Sequence, residues 1–328
     1  MKKLILNCDT GIDDAFAIAY AVGQKQMELI GVTASYGVSH VGNAYRNSKY
    51  ILNLLKSPKE VFRGSEKPLE RPMRNYMEAE SVFHGGDGLA NTLGQYTEAD
   101  IAGTSSDDGI EFIIDSIHKY RKELVLVTTG PLTDLAKALQ RDPSVKDKIV
   151  MVVSMAGALA TPGNVSMFAE VNALMDPEAA KIVLEADLPL TLVGLDITRK
   201  TLFTGRDLER WRGIKTSSAE FFACCAQHYL NAYNAKHPYL HGCALHDPLA
   251  VGAALHPEWV TAVPMRLTCE LKGEAAGRIC ENLELSNNND PGRTLGAMRV
   301  NKTAFENEFF SVVEQAFGII NKHRGASL

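Results

Sequence analysis

The sequence is poor in aromatic residues and has no cluster of positive charge. Phe, Trp and Tyr together make up 7% of its 328 residues, and its formal net charge is −5, with Lys and Arg scattered along the chain. Proteins that bind nucleic acid or an anionic membrane through surface charge carry a basic patch or stripe. We therefore expect neither nucleic acid nor a membrane as a partner.

Long hydrophobic runs are missing as well. Met1-Lys2-Lys3 precedes only three apolar residues before Asn7 and Asp9 interrupt them. A secretory leader or a membrane span needs a much longer apolar segment. This pattern leads us to expect a cytoplasmic protein.

Paired cysteine motifs are also absent. The chain has six cysteines, none in a Cys-x-x-Cys spacing. Scattered cysteines in a long chain are typical of buried free thiols, and a disulfide or a zinc site is the less favoured alternative.

What the sequence does have is an alternation of β-branched apolar runs with helical patterns. Its hydrophobic fraction of 45% is enough for a sizeable core. Strands are predicted at 4–6, 29–33, 61–62, 124–128, 149–153 and 188–193, and helices at about 13–23, 43–56, 108–120, 132–140, 176–186 and 305–322. This order predicts an α/β fold with a mostly parallel sheet flanked by helices. Functional residues in such folds lie at the carboxyl ends of the strands.

The most informative segment follows the first apolar run. Asp9, Asp13 and Asp14 lie in one glycine turn between a predicted strand and a predicted helix. Three carboxylates so close together repel one another unless a cation lies among them. Oxygen ligands without a Cys or His cluster favour Ca²⁺ or Mg²⁺ over zinc. The alternative is structural, with Asp9 as a helix cap and the other two as first-turn acids.

Polar residues follow other predicted strands too. Thr129 lies directly after one run, and Asn164, Glu170 and Asn172 come after the next. Neutral and acidic side chains of this kind bind sugar hydroxyls, whereas a phosphate calls for Arg or a glycine-rich loop. The segment therefore predicts a sugar without phosphate as the ligand, unless these are polar loop residues that face water.

A further ionisable pair, His246 and Asp247, stands directly before Pro248 and an apolar helical pattern. The carboxylate would complete a calcium site, and the imidazole would serve as a proton donor. The competing interpretation is a helix cap with a neighbour.

Together these segments resemble the nucleoside hydrolase family, the calcium-dependent N-ribohydrolases that cleave nucleosides into ribose and base. The likeness runs from residue 5 to about residue 255. It rests on segments that occur in the family's order: 9–14, 84–89, 129–133, 163–172 and 246–248. The resemblance implies a Rossmann-like nucleoside hydrolase fold, which we expect as a single domain over residues 1–328.

The resemblance also implies a role for each position. The catalytic residues would be Asp9, as general base toward water, and His246, as proton donor to the departing base with a pKa near neutrality. The protein's ligands to Ca²⁺ would be Asp9, Asp14, the Thr129 carbonyl and Asp247. The substrate-binding residues would be Asp13, Asn164, Glu170, Asn172 and His84.

Two positions depart from the family pattern. Asn7 stands where the family usually begins with Asp, and Val38 follows Gly37 where an Asn is expected. We expect metal binding to survive the first change. The second means that a neighbour binds the sugar or that the sugar differs from ribose.

The expected function is hydrolysis of the N-glycosidic bond of ribonucleosides, in nucleoside salvage, by a homodimer or homotetramer. His rather than Trp near position 246 is similar to members that accept pyrimidine nucleosides or inosine. The alternatives are a hydrolase of a modified or non-ribose nucleoside and a catalytically silent nucleoside-binding protein. Tyr229, Tyr233 and His241 would either close over the nucleoside or pack a helix.

Overall fold

A computed structural model describes residues 1–72, 81–284 and 292–318 of the chain. Its strands are β1 (Lys2–Cys8), β2 (Met27–Ala34), β3 (Val61–Arg63), β4 (Leu124–Thr128), β5 (Met151–Ser154), β6 (Leu190–Leu192), β7 (Leu202–Phe203), β8 (Cys243–Ala244), β9 (Val260–Pro264), β10 (Leu267–Cys269), β11 (Ile279–Glu281) and β12 (Leu295–Val300).

The helices of the described residues are α1 (Ile12–Gly23), α2 (Val41–Leu54), α3 (Asp108–Tyr120), α4 (Thr133–Arg141), α5 (Val171–Met175), α6 (Pro177–Glu185), α7 (Leu195–Thr198), α8 (Gly205–Arg212), α9 (Ser217–Lys236), α10 (His246–Leu255) and α11 (Lys302–Ala316). Short 3-10 turns lie at Arg121–Glu123, Pro143–Asp147, Pro238–Leu240 and Pro257–Trp259.

One sheet of eight strands organises the molecule, in the order β3, β2, β1, β4, β5, β6, β12, β9. Its neighbouring strands pair in parallel, except that β9 runs antiparallel to β12 at one edge. Two small antiparallel pairs, β10 with β11 and β7 with β8, lie outside this sheet. The predicted α/β fold with a mostly parallel sheet is confirmed.

The central strands are apolar on both faces because helices cover both sides of the sheet. Leu4 and Leu6 of β1 belong to one core cluster, and Ile5 between them belongs to the other. Successive side chains of a strand point to opposite faces, which divides these residues between two cores. The first core includes residues of α1, α9, α10 and α11, and the second includes residues of α3, α4 and α6. This packing fixes the strand ends on which the candidate site is built.

The elements read from the sequence are present within a few residues of their predicted bounds. The strand at 124–128 and the helix at 108–120 match their predictions. The predicted helix at 305–322 corresponds to α11, although 319–322 lie outside the described residues. The elements from β7 to α9 and from β9 to β12 were not predicted.

Two further expectations concern cysteines and membranes. All six cysteines lie in the described part of the chain and are free, and four of them are buried; Cys224 is exposed and Cys280 is partly exposed. None of the helices in residues 1–72, 81–284 and 292–318 has the length and apolar character to cross a bilayer.

Candidate active site

A cleft opens at the carboxyl ends of the parallel strands. All the residues proposed from sequence for catalysis, substrate and metal line it: Asp9, Asp13, Asp14, His84, Thr129, Asn164, Glu170, Asn172, His246 and Asp247. Most of them come from the loops after β1, β4 and β5, from α1 and α5, and from the first turn of α10, whereas His84 comes from the segment between β3 and α3. The structure therefore brings together segments that lie far apart in the sequence.

The loop between β1 and α1 is held tightly. Asp14 accepts hydrogen bonds from the Gly11 backbone N–H (2.8 Å) and the Thr129 hydroxyl (2.7 Å). Asp9 Oδ2 accepts one from the Val38 backbone N–H at 2.6 Å. A Cβ atom at Gly37 would lie 1.8 Å from that same oxygen, so only glycine fits there. Asp14 is thus a first-turn acid of α1, as the structural alternative expected, and it also contacts the loop after β4. The cap that this alternative gave to Asp9 is instead Gly11.

The acidic set, Asp9, Asp13, Asp14 and Asp247, is almost completely buried. Ligand oxygens of Asp13, Asp14 and Asp247 lie within 4.8 Å of one another. Burial and the neighbouring charge of Asp14 raise the pKa of Asp13 to about 8, and burial raises the pKa of Asp14 to about 6. The pKa values of Asp9 and Asp247 are raised well above normal for the same two reasons, burial and neighbouring carboxylates.

No Lys or Arg among the described residues forms an ion pair with the acidic set. Buried carboxylates without such partners must either take up protons or share a bound cation. Oxygen ligands with this spacing suit a hard divalent ion such as Ca²⁺ or Mg²⁺. The compact oxygen cluster contains Asp13, which we had assigned to the sugar, whereas Asp9 lies in the cleft beside it.

The polar segment after β5 is also held by hydrogen bonds. Glu170 accepts from the backbone N–H groups of Gly157 (2.8 Å), Asn172 (2.9 Å) and Ala173 (3.2 Å), and so caps α5. The Asn172 amide donates to the carbonyl oxygens of Thr129 (2.7 Å) and Met155 (2.9 Å). Because the amide nitrogen of Asn172 makes both of these bonds, its Oδ1 is the atom that can accept a hydrogen bond from a ligand.

Asn164 shares this arrangement, because its Oδ1 accepts from the Val171 N–H at 3.0 Å. Glu170 and Asn172 are buried, whereas Asn164 is exposed and alone fits the alternative of a polar loop residue that faces water.

His246 lies between two hydroxyl groups. Its Nδ1 is 2.7 Å from Thr198 Oγ1, and its Nε2 is 2.8 Å from the Tyr233 hydroxyl. Burial, followed by the charge of Arg199, lowers the pKa of His246 to about 3. The ring is neutral at pH 7, which corrects the expected pKa near neutrality.

His84 is similar in charge state but differs in contacts. Its Nδ1 accepts a hydrogen bond from the Ile12 N–H at 3.1 Å and lies 3.8 Å from Asp13 Oδ1. Burial lowers the pKa of His84 to about 3. The residue therefore supports the first turn of α1 as well as lining the cleft.

An aromatic set, Phe83, Tyr229, Tyr233, His237 and His246, forms another part of the lining. Tyr229 and Tyr233 lie one turn apart on α9, with ring centroids 4.9 Å apart, and the Tyr229 hydroxyl donates to Asp13 Oδ2 at 3.1 Å. Phe83 packs against Tyr233 and His237. The two tyrosines therefore line the cleft and also belong to the buried core, so they pack the helix and border the cleft at once.

Several lining residues were missed or misjudged from sequence. Phe83, Arg199, His237 and Leu240 line the cleft, but nothing in their sequence surroundings indicated it. His241 does not line it and is exposed.

The two departures from the expected pattern occupy different places. Asn7 lies behind the cleft, where its amide donates to Thr33 Oγ1 (2.8 Å) and Asp134 Oδ2 (2.9 Å). An amide suits this position because a second carboxylate facing Asp134 would repel it. Val38, by contrast, lines the cleft itself.

Comparison with known proteins points in one direction. The family model described as inosine-uridine preferring nucleoside hydrolase matches residues 4–307. The chain is 34% identical over 276 residues to the inosine-uridine preferring nucleoside hydrolase of Leishmania major, covering 83% of this chain and 84% of that protein. It is 33% identical over 276 residues to probable uridine nucleosidase 1 of Oryza sativa subsp. japonica, covering 84% of this chain and 83% of that protein.

A solved structure agrees with the sequence relatives on nucleoside hydrolysis but is named for a different base preference. The purine-preferring ribonucleoside hydrolase from Gardnerella vaginalis matches with a TM-score of 0.91 and 36% identity, covering 97% of this chain and 100% of that chain.

Proposed function

Because this chain belongs to the inosine-uridine preferring nucleoside hydrolase family and so hydrolyses the N-glycosidic bond of ribonucleosides, we propose that it requires Ca²⁺ and prefers pyrimidine nucleosides or inosine. The observation that carries the metal proposal is the buried cluster of carboxylate oxygens from Asp13, Asp14 and Asp247 within 4.8 Å. The preference for these bases rests on His246, which stands where a tryptophan would indicate a purine-restricted member.

We assign the protein's ligands to Asp9, Asp14, the Thr129 carbonyl and Asp247. When bound, the ion lowers the pKa of a water molecule and orients the sugar hydroxyls. Asp13 adjoins these oxygens and is held by Tyr229, which suits contact with a sugar hydroxyl. Asn164, Glu170 and Asn172 complete the sugar-binding wall.

In the proposed reaction the bond between C1′ and the base nitrogen breaks, and its electron pair stays on the base. Water oxygen bonds to C1′, and Asp9 takes a proton from that water. Positive charge develops on the ribose ring as the bond breaks, so the buried carboxylates of the acidic set stabilise the transition state.

The departing base must gain a proton to leave as a neutral molecule. His246 and Tyr233 share a hydrogen bond of 2.8 Å, and Thr198 fixes the other nitrogen of the imidazole. We assign the proton donation to this hydrogen-bonded pair, with the ring neutral before the reaction. The pair gives one proton to the base nitrogen and regains a proton from solvent after the base departs, and Asp9 releases to solvent the proton that it took from water. Phe83 and Tyr229 offer flat aromatic surfaces beside it.

A second candidate is hydrolysis of a modified or non-ribose nucleoside, and Val38 is the observation that favours it. Its backbone N–H is used by Asp9, and its side chain presents an apolar surface to the cleft. An apolar side chain offers no hydrogen bond to a sugar hydroxyl. Comparing ribo-, deoxyribo- and base-modified nucleosides separates the two candidates.

The direct test is a nucleoside panel, assayed by release of base with calcium and with chelator. We expect turnover of uridine, cytidine or inosine that chelator abolishes and added Ca²⁺ restores. Absence of reducing sugar from every nucleoside would remove the enzymatic assignment, and binding without turnover would identify a catalytically silent protein. Activity that chelator leaves unchanged would remove the metal proposal alone.

From the family we also propose a cytoplasmic homodimer or homotetramer that serves nucleoside salvage. Light scattering on the purified chain measures the assembly directly, and a monomeric mass would contradict this part of the proposal.

A further inference from the structure

One residue of the cleft has a charge opposite to that of the acidic set. Among the described residues, Arg199 is the only Lys or Arg that lines the cleft. The guanidinium group keeps its proton at any ordinary pH, so this positive charge is permanent. Nothing in the steps assigned above uses it.

The position of Arg199 is fixed by two backbone carbonyl groups. Its Nη1 donates to Pro162 O at 2.9 Å, and its Nη2 donates to Gly163 O at 3.0 Å. A charge held in place in this way needs no rearrangement when charge develops in a substrate.

Arg199 also lies close to the aromatic set. It directly follows Thr198, whose hydroxyl is 2.7 Å from His246 Nδ1. Its positive charge also acts on His237, which lines the same cleft: burial first, and then the charge of Arg199, lowers the pKa of His237. The guanidinium therefore borders the part of the cleft that we assign to the base.

The chemistry of the reaction requires opposite charges in two places. As the C1′–N bond breaks, positive charge grows on the sugar and the electron pair gathers on the base nitrogen. The acidic set stabilises the sugar but would oppose negative charge on the base. A fixed cation beside the base offsets that opposition.

We propose that Arg199 stabilises the negative charge that develops on the departing base. The inference rests on the proposed function and adds an electrostatic role for a residue that transfers no proton. Water supplies the oxygen that bonds to C1′, the base is protonated by the His246 and Tyr233 pair, and Arg199 keeps its charge throughout.

The competing explanation is structural: Arg199 would only hold residues 162–163, and with them Asn164, in place. Loss of that support would slow the hydrolysis of every substrate equally. Stabilisation of the leaving base matters most when the leaving group is a poor anion, and least when it is already a stable one. The two explanations therefore differ in their dependence on the leaving group.

The experiment measures kcat/KM for uridine, inosine and p-nitrophenyl β-D-ribofuranoside with the full-length, calcium-replete chain. The variants are Arg199→Gln, which removes the charge, and Arg199→Lys, which keeps it. Arg63→Gln is the matched control, because Arg63 also donates to a loop carbonyl, that of Thr104 at 2.8 Å, but does not line the cleft. The ratio between two substrates on one preparation does not depend on how much of it is folded.

We expect Arg199→Gln to lower kcat/KM for the nucleosides by about 10²-fold, as removal of one preorganised electrostatic group does. The nitrophenyl riboside should lose much less, Arg199→Lys should retain most of the preference for nucleosides, and the control should leave the ratio unchanged. An equal loss for all three substrates, or no loss, would overturn the inference while wild-type turnover upholds the proposed function. A wild-type chain that cleaves none of them would overturn both.

Discussion

The acidic set and the aromatic set line the same cleft but are built in different ways. Asp9, Asp13 and Asp14 come from one short turn at the end of β1, and their positions follow from the central strand of a parallel sheet. Tyr229 and Tyr233 come instead from the long helix α9, His237 from its C-cap, and Phe83 from the segment between β3 and α3. The part of the site that would handle the sugar is thus fixed by the sheet, and the part that would face the base is added by helices.

This difference predicts how each set responds to change. Residues of the acidic set share a buried cluster in which each carboxylate shifts the pKa values of the others. Removing one should therefore affect chemistry and stability together. The aromatic set is linked by ring contacts and single hydrogen bonds, so a change that removes only a hydroxyl group should affect the rate with little change in stability.

The largest effect is expected from Asp9→Ala. Loss of the proposed base and metal ligand should lower kcat by about 10⁴-fold or more, at the upper end for acid–base groups. The circular dichroism spectrum should be unchanged, because the main contact of the side chain is one hydrogen bond from Val38. Asp115→Ala on the exposed face of α3 is the control. Retention of more than a tenth of the activity would contradict the assigned role.

The aromatic set is tested by His246→Ala and Tyr233→Phe. The first should lower kcat for nucleosides by about 10²-fold, and the second by less, because it removes only the hydroxyl that contacts His246 Nε2. The control is Tyr239→Phe, whose hydroxyl contacts His237 from an exposed position. If Tyr233→Phe matched Tyr239→Phe, the hydrogen bond would have no part in base departure.

Stability should depend on pH through the acidic set when no cation is bound. The folded-state pKa of Asp13, about 8, lies above the value of about 3.9 for an unfolded Asp, so the folded state holds the extra proton. Stability is therefore lost as the pH rises toward 8. The buried histidines have lowered pKa values and act in the opposite direction, but only below about pH 6.5.

Thermal unfolding of chelator-treated protein between pH 6.5 and 8 measures this dependence. The melting temperature should fall as the pH rises. Calcium at a hundred times its dissociation constant should add about 2.7 kcal/mol and remove most of the slope. In calcium-free protein, Asp13→Asn should make the melting temperature depend less on pH. A melting temperature that rises with pH in this window would contradict the account.

The smallest effect is expected from Val38→Asn. The change adds a hydrogen-bonding group to the wall near Asp9 and should raise kcat/KM for ribonucleosides by at most about tenfold, the value of one hydrogen bond. The Val38 N–H that holds Asp9 is kept. A gain for ribonucleosides but not for deoxyribonucleosides would show that Val38 weakens ribose recognition. A loss for both would show that the native sugar contact needs an apolar wall.

The acidic set could be predicted from the sequence because its information is local. The run at 4–6, the glycine turn and the crowded carboxylates lie within ten residues, and parallel-sheet geometry places such a turn at a ligand site. His246 and Asp247 could be included because they directly precede a helix that the apolar pattern indicates. The closeness of Asp247 to Asp13 and Asp14 depends on the tertiary fold.

The aromatic set could be predicted only in part. Helix α9 carries small residues such as Ala223, Cys225 and Ala226 among its buried positions, so its sequence shows no clear apolar stripe. Because the helix itself is not predicted, the sequence does not show that Tyr229 and Tyr233 point toward the cleft. The same applies to Arg199, whose orientation depends on carbonyl groups more than thirty residues away.

The lowered pKa of His246 is a further feature that sequence could not supply. The neighbouring residues in the chain say nothing about its burial, which comes from packing against Tyr233 and Thr198. Burial decides the charge of an imidazole as strongly as its neighbours do.

Calorimetric titration of the chelator-stripped chain with Ca²⁺ measures whether the acidic set holds a cation. We expect one ion bound per chain in the wild type and in Asp115→Asn, and loss of that binding in Asp247→Asn. A wild-type chain that binds no divalent cation, or an Asp247→Asn variant that binds it as well as the wild type, would contradict a cation site within the acidic set.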